Sequence, residues 1–327
     1  MTRITETPPQ LTPPHIAPLH EKPRPGLLAG NRLAYLLIAP AVIAELLIHI
    51  LPMLLGIWVA FTRLTQINIR NWIRAPFVGL DNFIAGLDPD GPIGSQLYTS
   101  FFRTTLYVAI VLGACWVLGI ASAVFLSSKV KGRAFLRTFF LIPWAMPAYV
   151  GTIAWAFMFN QRDGMVNKIL VDDLGLLDAR PFWLIGDNSF FVLVIASIWQ
   201  MWPFAFLMLL AAMQSIPGDV FEAASLDGAS LWRQFRSLIL PMIRPTNIVL
   251  LLVMGLFLFN QFSIPYVLFG RNSPEPARLI SPLIYEHSFV NWNFGLGSAV
   301  SALLLVVLFV ASLFYIHLVM PRSREDD

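Results

Sequence analysis

The sequence predicts an all-α integral membrane protein with six transmembrane helices. Of its 327 residues, 57% are hydrophobic and only 13% are charged, whereas an average soluble domain has about a quarter charged residues. Six runs almost free of charge are each long enough for a helix to cross a bilayer, which takes roughly 20 residues. Too little charge remains to cover the surface of soluble domains, so the composition argues strongly against a soluble enzyme.

The six apolar runs justify one span each, and they occupy residues 33–61, 101–127, 134–159, 189–213, 246–270 and 294–320. Arg103 and Arg137 lie near the ends of their runs. A long basic side chain at such a place can reach the lipid headgroups while its aliphatic part stays in hydrocarbon. Neither arginine therefore interrupts a predicted span.

The charge distribution predicts the orientation of the chain. Residues 1–32 contain seven of the 24 prolines and no apolar stretch, which predicts a disordered cytoplasmic tail rather than a signal peptide. With this tail inside, the inner segments contain 13 Lys and Arg and the outer segments contain nine. The positive-inside rule then predicts a multi-pass protein of a prokaryotic cytoplasmic membrane, with a six-helix domain over 33–320 and a cytoplasmic tail over 321–327.

The sequence lacks the residues that several kinds of chemistry require. Cys115 is the only cysteine, so an internal disulfide is impossible and no metal site is expected. No catalytic residue is predicted, since H-E-x-x-H and G-x-S-x-G motifs, which would suit an intramembrane protease, do not occur. None of the four lysines follows a glycine and precedes Ser or Thr, so a phosphate-binding loop is missing and no cofactor is expected in this chain. The net charge of +3 reflects topology, and no nucleic-acid partner is expected.

A polar segment, residues 217–245, separates the fourth and fifth predicted spans and has the pattern of a helix-turn-helix. Asp219 precedes Glu222 by three residues, the spacing of an N-cap with a reciprocal side chain. Asp227-Gly228 predicts the end of the first helix, because glycine accepts a left-handed conformation. Ser230 is the predicted N-cap of a second helix, which Pro241 and Pro245 are expected to end.

Large apolar residues in this helix pair support two interpretations. Phe221, Leu226, Trp232 and Phe235 would form a docking surface if they were exposed, or would pack under the bundle if they were buried. Glu222 has the same ambiguity. It can cap its own helix, or it can form an ion pair across an interface.

The motif Glu222-Ala223-Ala224-Ser225-Leu226-Asp227-Gly228-Ala229, followed by Leu240-Pro241 and Pro245, resembles the EAA loop of permease subunits in binding-protein-dependent ABC importers. Leu141-Ile142-Pro143, Gln214-Ser215-Ile216-Pro217 and Gly295-Leu296-Gly297-Ser298 resemble the carbohydrate and glycerol-3-phosphate branch of that family. The resemblance covers about residues 33–320. It departs from the family at Gly270-Arg271-Asn272, where a glycine pair is common.

The resemblance implies a type I ABC importer permease fold with a cytoplasmic EAA coupling helix that lies in a groove of an ATP-hydrolysing subunit. Ala223 and Ala224 would allow close approach, Asp227 and Gly228 the sharp turn, and Glu222 would meet a basic partner. ATP and Mg would be bound by that partner subunit. The other implied partners are a second, homologous permease, a second ATP-binding subunit, an extracytoplasmic solute-binding protein at the outer loops, and membrane lipid.

Polar and aromatic residues within spans are candidates for the substrate path, because such groups are costly against lipid. Trp199 and Gln200 lie in the fourth predicted span, and Asn260, Gln261 and Tyr266 in the fifth. Aromatic faces and amides suit a neutral hydroxylated ligand such as a sugar or polyol. The alternative is that these residues are interfacial anchors and interhelical hydrogen-bonding groups.

A second functional hypothesis uses Glu45 and His49, which lie four residues apart on one face of the first span. Such a pair could exchange a proton in a self-sufficient, proton-coupled carrier. A locally satisfied pair is the alternative.

Overall fold

The computed structural model describes residues 27–127 and 130–319, and these form helices with only two isolated β-bridges among them. They fall into two compact units that divide between Leu55 and Gly56. The α-helices of four or more residues are Leu27–Glu45, Leu51–Ala60, Asp81–Leu87, Pro92–Ser127, Arg133–Ala145, Ala148–Met158, Asn188–Gln214, Gly218–Leu226, Leu231–Gln234, Arg244–Phe259, Ser263–Phe269, Ile280–Tyr285 and Phe294–Val319.

Five helices are long and apolar enough to cross a membrane: the first span Ala34–Ala60, the second Pro92–Ser127, the fourth Asn188–Gln214, the fifth Arg244–Phe269 and the sixth Phe294–Val319. The third predicted span is instead two helices, Arg133–Ala145 and Ala148–Met158, bent by 86°. The described residues therefore contain five candidate spans, or six if the bent pair counts as one. Hydropathy located the apolar runs but gave no sign of the bend.

The first helix begins at Leu27, inside the stretch that composition assigned to a disordered tail. The rest of that tail, residues 1–26, and the predicted tail 321–327 lie outside the described residues. Within the first span, Glu45 Oε2 lies 3.1 Å from His49 Nδ1 across a turn of π-helix, Leu46–Ile50. The locally satisfied pair is therefore what the structure contains.

The second and fourth spans form the centre of the larger unit. A Cβ atom at Gly119 would lie only 2.9 Å from Ala205 Cβ and from Phe206 N, so only glycine allows the two helices to approach this closely. Further along, the buried Tyr107 hydroxyl donates a hydrogen bond of 2.8 Å to Ser197 Oγ. Small residues and a buried hydrogen bond thus fix this helix pair.

The first helix of the predicted helix-turn-helix begins two residues earlier than its pattern indicated. Pro217 occupies the N-cap position and no side chain caps the helix, so the prediction of Asp219 as an N-cap is wrong. Asp219 lies in the first turn instead, where a carboxylate still interacts favourably with the helix dipole. This helix, Gly218–Leu226, is called the coupling helix below.

Pro241 does not end the second helix, contrary to prediction. A π-helical turn, Phe235–Ile239, precedes it, and the amide of Leu240 donates to the carbonyl of Phe235. The π-helical turn changes the backbone hydrogen-bond register just before Pro241. Because proline has no N–H, it would interrupt the register of a regular α-helix. The helix continues to Met242 and breaks at Ile243, and Pro245 lies in the first turn of the fifth span.

Candidate functional site

The coupling helix ends in a tight, fully hydrogen-bonded turn. Gly228 has a φ of 72°, the left-handed conformation that the sequence predicted. The amide of Ala229 donates to Ala224 O at 2.9 Å, and that of Gly228 donates to Ser225 O at 3.1 Å. These two bonds form a Schellman motif, which satisfies the last carbonyl groups of a helix.

The second helix begins directly after this turn and is tied back to it. Ser230 Oγ accepts a hydrogen bond from the amide of Arg233 at 3.3 Å, which confirms the predicted N-cap. Gln234 Nε2 donates to Ala229 O at 3.0 Å. The turn between the two helices is therefore held from both sides.

The large apolar residues of the helix pair divide into a half-buried group and an exposed group. Phe221 and Phe235 are half-buried and pack against the main hydrophobic core. Leu226 is 89% exposed and Trp232 is 67% exposed, and they flank Leu231, which is 83% exposed. We call Leu226, Leu231 and Trp232 the docking patch. The inner side of the helix pair thus anchors it to the bundle, and the outer side presents uncovered apolar surface.

The other residues of the coupling motif are also largely accessible. Glu222, Ala223 and Asp227 are exposed, and Ala224 is half-buried. Within the described part of the chain, Glu222 forms no ion pair, and it makes no capping hydrogen bond. Its carboxylate is available to a basic group on another molecule.

Gln200 stabilises the bend of the third span. Its Nε2 donates to Pro143 O at 3.1 Å and to Met146 O at 3.2 Å, and the residue is only 6% exposed. These carbonyl groups lie where the helix is interrupted, so the amide satisfies acceptors that have lost their helical partners. The side chain that sequence placed on a substrate path therefore supports the bend.

Trp199 lies beside the same bend. A Cβ atom at Gly151 would be 2.7 Å from its ring, and its ring packs edge-on against Trp155 at 5.9 Å between centroids. The structure thus brings Trp199 and Gln200 together against the helix Ala148–Met158. No hydrogen bond or ring contact within residues 27–127 and 130–319 joins them to Asn260, Gln261 or Tyr266.

The fifth span is interrupted at residues 260–262, between the helices Arg244–Phe259 and Ser263–Phe269. Asn260 Nδ2 donates to Leu256 O at 2.9 Å, at the end of the first helix. Gln261 Oε1 accepts from the amide of Ser263 at 3.1 Å, at the start of the second. Each amide side chain satisfies a backbone group on its own side of the break, as a discontinuous membrane helix requires.

A cluster of aromatic rings lies next to this break. Phe262 stacks on Tyr266 at 5.0 Å, Tyr285 lies 5.3 Å from Tyr266, and Phe289 lies 5.3 Å from Tyr285. The hydrogen bond to Tyr266 raises the pKa of the Tyr285 hydroxyl above its ordinary value.

The cluster borders an open pocket of about 460 Å³. Asn260 is the one predicted path residue in its lining, which also includes Phe262, Tyr285, Phe289, Ser281 and Ser301. Among the described lining residues none is Asp, Glu, Lys or Arg. Aromatic faces, hydroxyl groups and an amide can stack on and hydrogen-bond to a neutral hydroxylated ligand.

Sequence patterns did not place Tyr285, Phe289, Ser281 or Ser301 on the substrate path. A signal for the two aromatic residues was present, because Phe262 and Tyr266 are four residues apart and so are Tyr285 and Phe289. Aromatic pairs with this spacing present two rings on one helix face. The serines carry no comparable pattern.

Comparisons with known proteins agree with this architecture. Residues 116–324 match the family described as "Binding-protein-dependent transport system inner membrane component". The chain is 33% identical to the trehalose/maltose transport system permease protein MalF of Thermococcus litoralis, over 90% of this chain and 95% of that protein. Two crystal structures of a bacterial alginate ABC transporter share the fold at 23% identity. The transporter itself gives a TM-score of 0.78 and covers 91% of this chain and 98% of the other. Its complex with an alginate pentasaccharide-bound periplasmic protein gives a TM-score of 0.75 and covers 89% and 94%.

We expect Gln200→Leu to destabilise the protein by about 1–3 kcal/mol, because it leaves two buried carbonyl groups without a donor. Gln66→Leu, at an exposed position whose side chain forms no hydrogen bond to the described residues, is the control. Thermal unfolding of both variants in the same detergent measures the difference. Equal unfolding temperatures for the two variants would contradict the role assigned to Gln200.

Proposed function

We propose a transport function from one established premise: the chain belongs to the family of binding-protein-dependent transport system inner membrane components. It is a multi-pass membrane permease subunit of an ABC transporter and not an enzyme. Its function is to form, with a second permease, the path for a sugar or related polyol in an ATP-driven importer. The observation that carries this proposal is the exposed docking patch on a helix pair that Phe221 and Phe235 anchor to the bundle.

The docking patch supports an ATP-binding partner. Recognition of a helix in a groove needs exposed apolar surface that is held in a fixed orientation. Leu226 at the end of the coupling helix, and Leu231 and Trp232 at the start of the second helix, provide such surface. Ala223 and Ala224 allow close approach, Asp227 and Gly228 form the turn, and Glu222 meets a basic residue of the groove. ATP and Mg are bound by the partner, since this chain has no phosphate-binding loop.

The proposed assembly contains this chain, a second homologous permease, two ATP-binding subunits and an extracytoplasmic solute-binding protein. The alginate transporter with its periplasmic protein supports an assembly of this kind. The location is a prokaryotic cytoplasmic membrane with both termini inside. The coupling helix then faces the cytoplasm, where ATP is available.

The substrate path runs along the pocket at the break of the fifth span. Asn260 contributes an amide and Tyr266 supports the aromatic wall, while Gln261 holds the start of the second half-helix. Trp199 and Gln200 shape the path indirectly through the bend of the third span. A sugar fits the uncharged lining, and the relative named as a trehalose/maltose transport system permease supports this class.

A proton-coupled carrier that uses Glu45 and His49 is disfavoured. The family and the fold are those of ABC permeases, and the two side chains satisfy each other at 3.1 Å.

We expect Leu226→Asp to abolish association with the ATP-binding subunits without unfolding the chain. Leu226 is 89% exposed, so a charge there costs little folding free energy but opposes burial in an apolar groove. Co-purification of the ATP-binding subunits with the tagged chain measures the effect. The control is Ile67→Asp, because Ile67 is 94% exposed and lies in the connection after the first span. Full co-purification with Leu226→Asp would refute the docking assignment.

We expect Asn260→Ala to lower sugar uptake about tenfold, the effect of removing one hydrogen bond worth roughly 1.5 kcal/mol to a bound substrate. Co-purification of the ATP-binding subunits and sugar binding by the solute-binding protein should be unchanged. Gln261→Ala should reduce uptake through loss of a helix cap. Gln66→Ala serves as the control. Wild-type uptake by both site variants would place the substrate path elsewhere.

A further inference from the structure

A second cavity, of about 710 Å³, lies behind the coupling helix. Its lining includes Ser127 at the end of the second span, Gln214 at the end of the fourth, and Phe221 and Glu222 of the coupling helix. The cavity therefore lies where transmembrane helices end, at the level expected for lipid headgroups, and it does not overlap the substrate pocket.

The cavity lining contains two arginines and one carboxylate, that of Glu222, so its net charge is positive. Arg133 and Arg137 both line it and are one helical turn apart, so they share a helix face. Arg137 donates from one terminal nitrogen to Leu126 O at 3.0 Å, but its Nε is buried without a partner. Within the described ranges, Arg133 forms no ion pair, and neither arginine pairs with Glu222. An anion with several oxygen atoms would satisfy these donors.

Much of the cavity lining is apolar. It contains Val124, Ile216, Phe221, Phe235 and Ile239. Phe135 and Phe139, on the same helix as the two arginines, are exposed and stack at 6.2 Å between centroids, as is typical of the aromatic residues at a membrane boundary. A small hydrophilic anion would bind the arginines but would leave the apolar lining exposed to water.

We propose that the cavity binds an anionic phospholipid. The phosphate of the headgroup contacts the guanidinium groups of Arg133 and Arg137, and an acyl chain covers the apolar lining up to Phe221. Basic pockets between transmembrane helices recognise anionic headgroups in this way. The lipid would contact both the bundle and the inner side of the coupling helix. This inference rests on the cavity itself and does not depend on the transported substrate.

The test counts the phospholipids that stay bound to the full chain. Wild type, Arg133→Gln and Lys131→Gln are purified in a neutral detergent from membranes that contain phosphatidylglycerol and phosphatidylethanolamine, and retained lipid is counted by native mass spectrometry. Lys131 is exposed, lies two residues from Arg133 and does not line the cavity, so its variant removes the same charge without the site. We expect at least a fivefold loss of retained phosphatidylglycerol in Arg133→Gln only. Equal retention in both variants, or equal retention of the two lipids by wild type, would overturn the proposal.

A second arm separates a lipid from a free anion. Delipidated wild type and Arg133→Gln are titrated with a short-chain phosphatidylglycerol or with inorganic phosphate, and thermal unfolding is recorded. We expect the lipid, and not the phosphate, to raise the unfolding temperature of wild type and to leave that of Arg133→Gln unchanged. Stabilisation of wild type by inorganic phosphate alone would overturn the lipid assignment and indicate a free-anion site. The two proteins must unfold at the same temperature without ligand, which excludes a general folding defect.

Discussion

Backbone groups that lose their partners where a membrane helix is interrupted must find new ones within the protein, because hydrocarbon supplies none. This constraint applies at two places in the chain, and a third helix end, that of the coupling helix outside the membrane, is satisfied in the same way. Gln200 satisfies the carbonyls of Pro143 and Met146 at the bend of the third span. Gln261 accepts from the first amide of a half-helix in the fifth span. A Schellman motif closes the coupling helix.

The last two of these helix ends lie at opposite ends of one helical path. The second helix of the helix-turn-helix begins at Leu231 and continues through a π-helical turn and a break at Ile243 into Arg244–Phe259. At about 1.5 Å per residue this path is roughly 40 Å long. It joins the turn after the coupling helix to the break that contributes Asn260 to the substrate pocket. Ile239 and Ile243 are buried along the way, so the path is packed in the core.

Sequence was sufficient for features that depend on local chemistry. Apolar runs of bilayer length located the spans, and glycine and serine preferences located Gly228 and Ser230. Sequence failed where the outcome depends on contacts between distant residues. The apolar run that contains Pro143 and Pro147 reads like any other span, and its bend depends on an amide more than fifty residues away, that of Gln200.

The same limit applies to the candidate site. The polarity of Gln200 suggested a path residue, but its partners are backbone atoms that no pattern reveals. Asp219 and Glu222 have capping-box spacing, yet the helix begins at Gly218, and this leaves Glu222 free. The aromatic wall joins two segments about twenty residues apart, and the four-residue spacing within each aromatic pair does not show that the two pairs meet. The EAA motif, in contrast, was recognisable because its function depends on a short continuous helix.

The proposed transport mechanism requires an ATP-hydrolysing partner that acts on this chain through the docking patch. Photo-crosslinking from a benzoylphenylalanine at position 226 in intact membranes tests it most directly, with the same probe at the half-buried position 221 for comparison. The account predicts a crosslink from position 226 to the ATP-binding subunit and none from position 221. A probe at position 226 that reacts only with lipid or with this chain itself would contradict it.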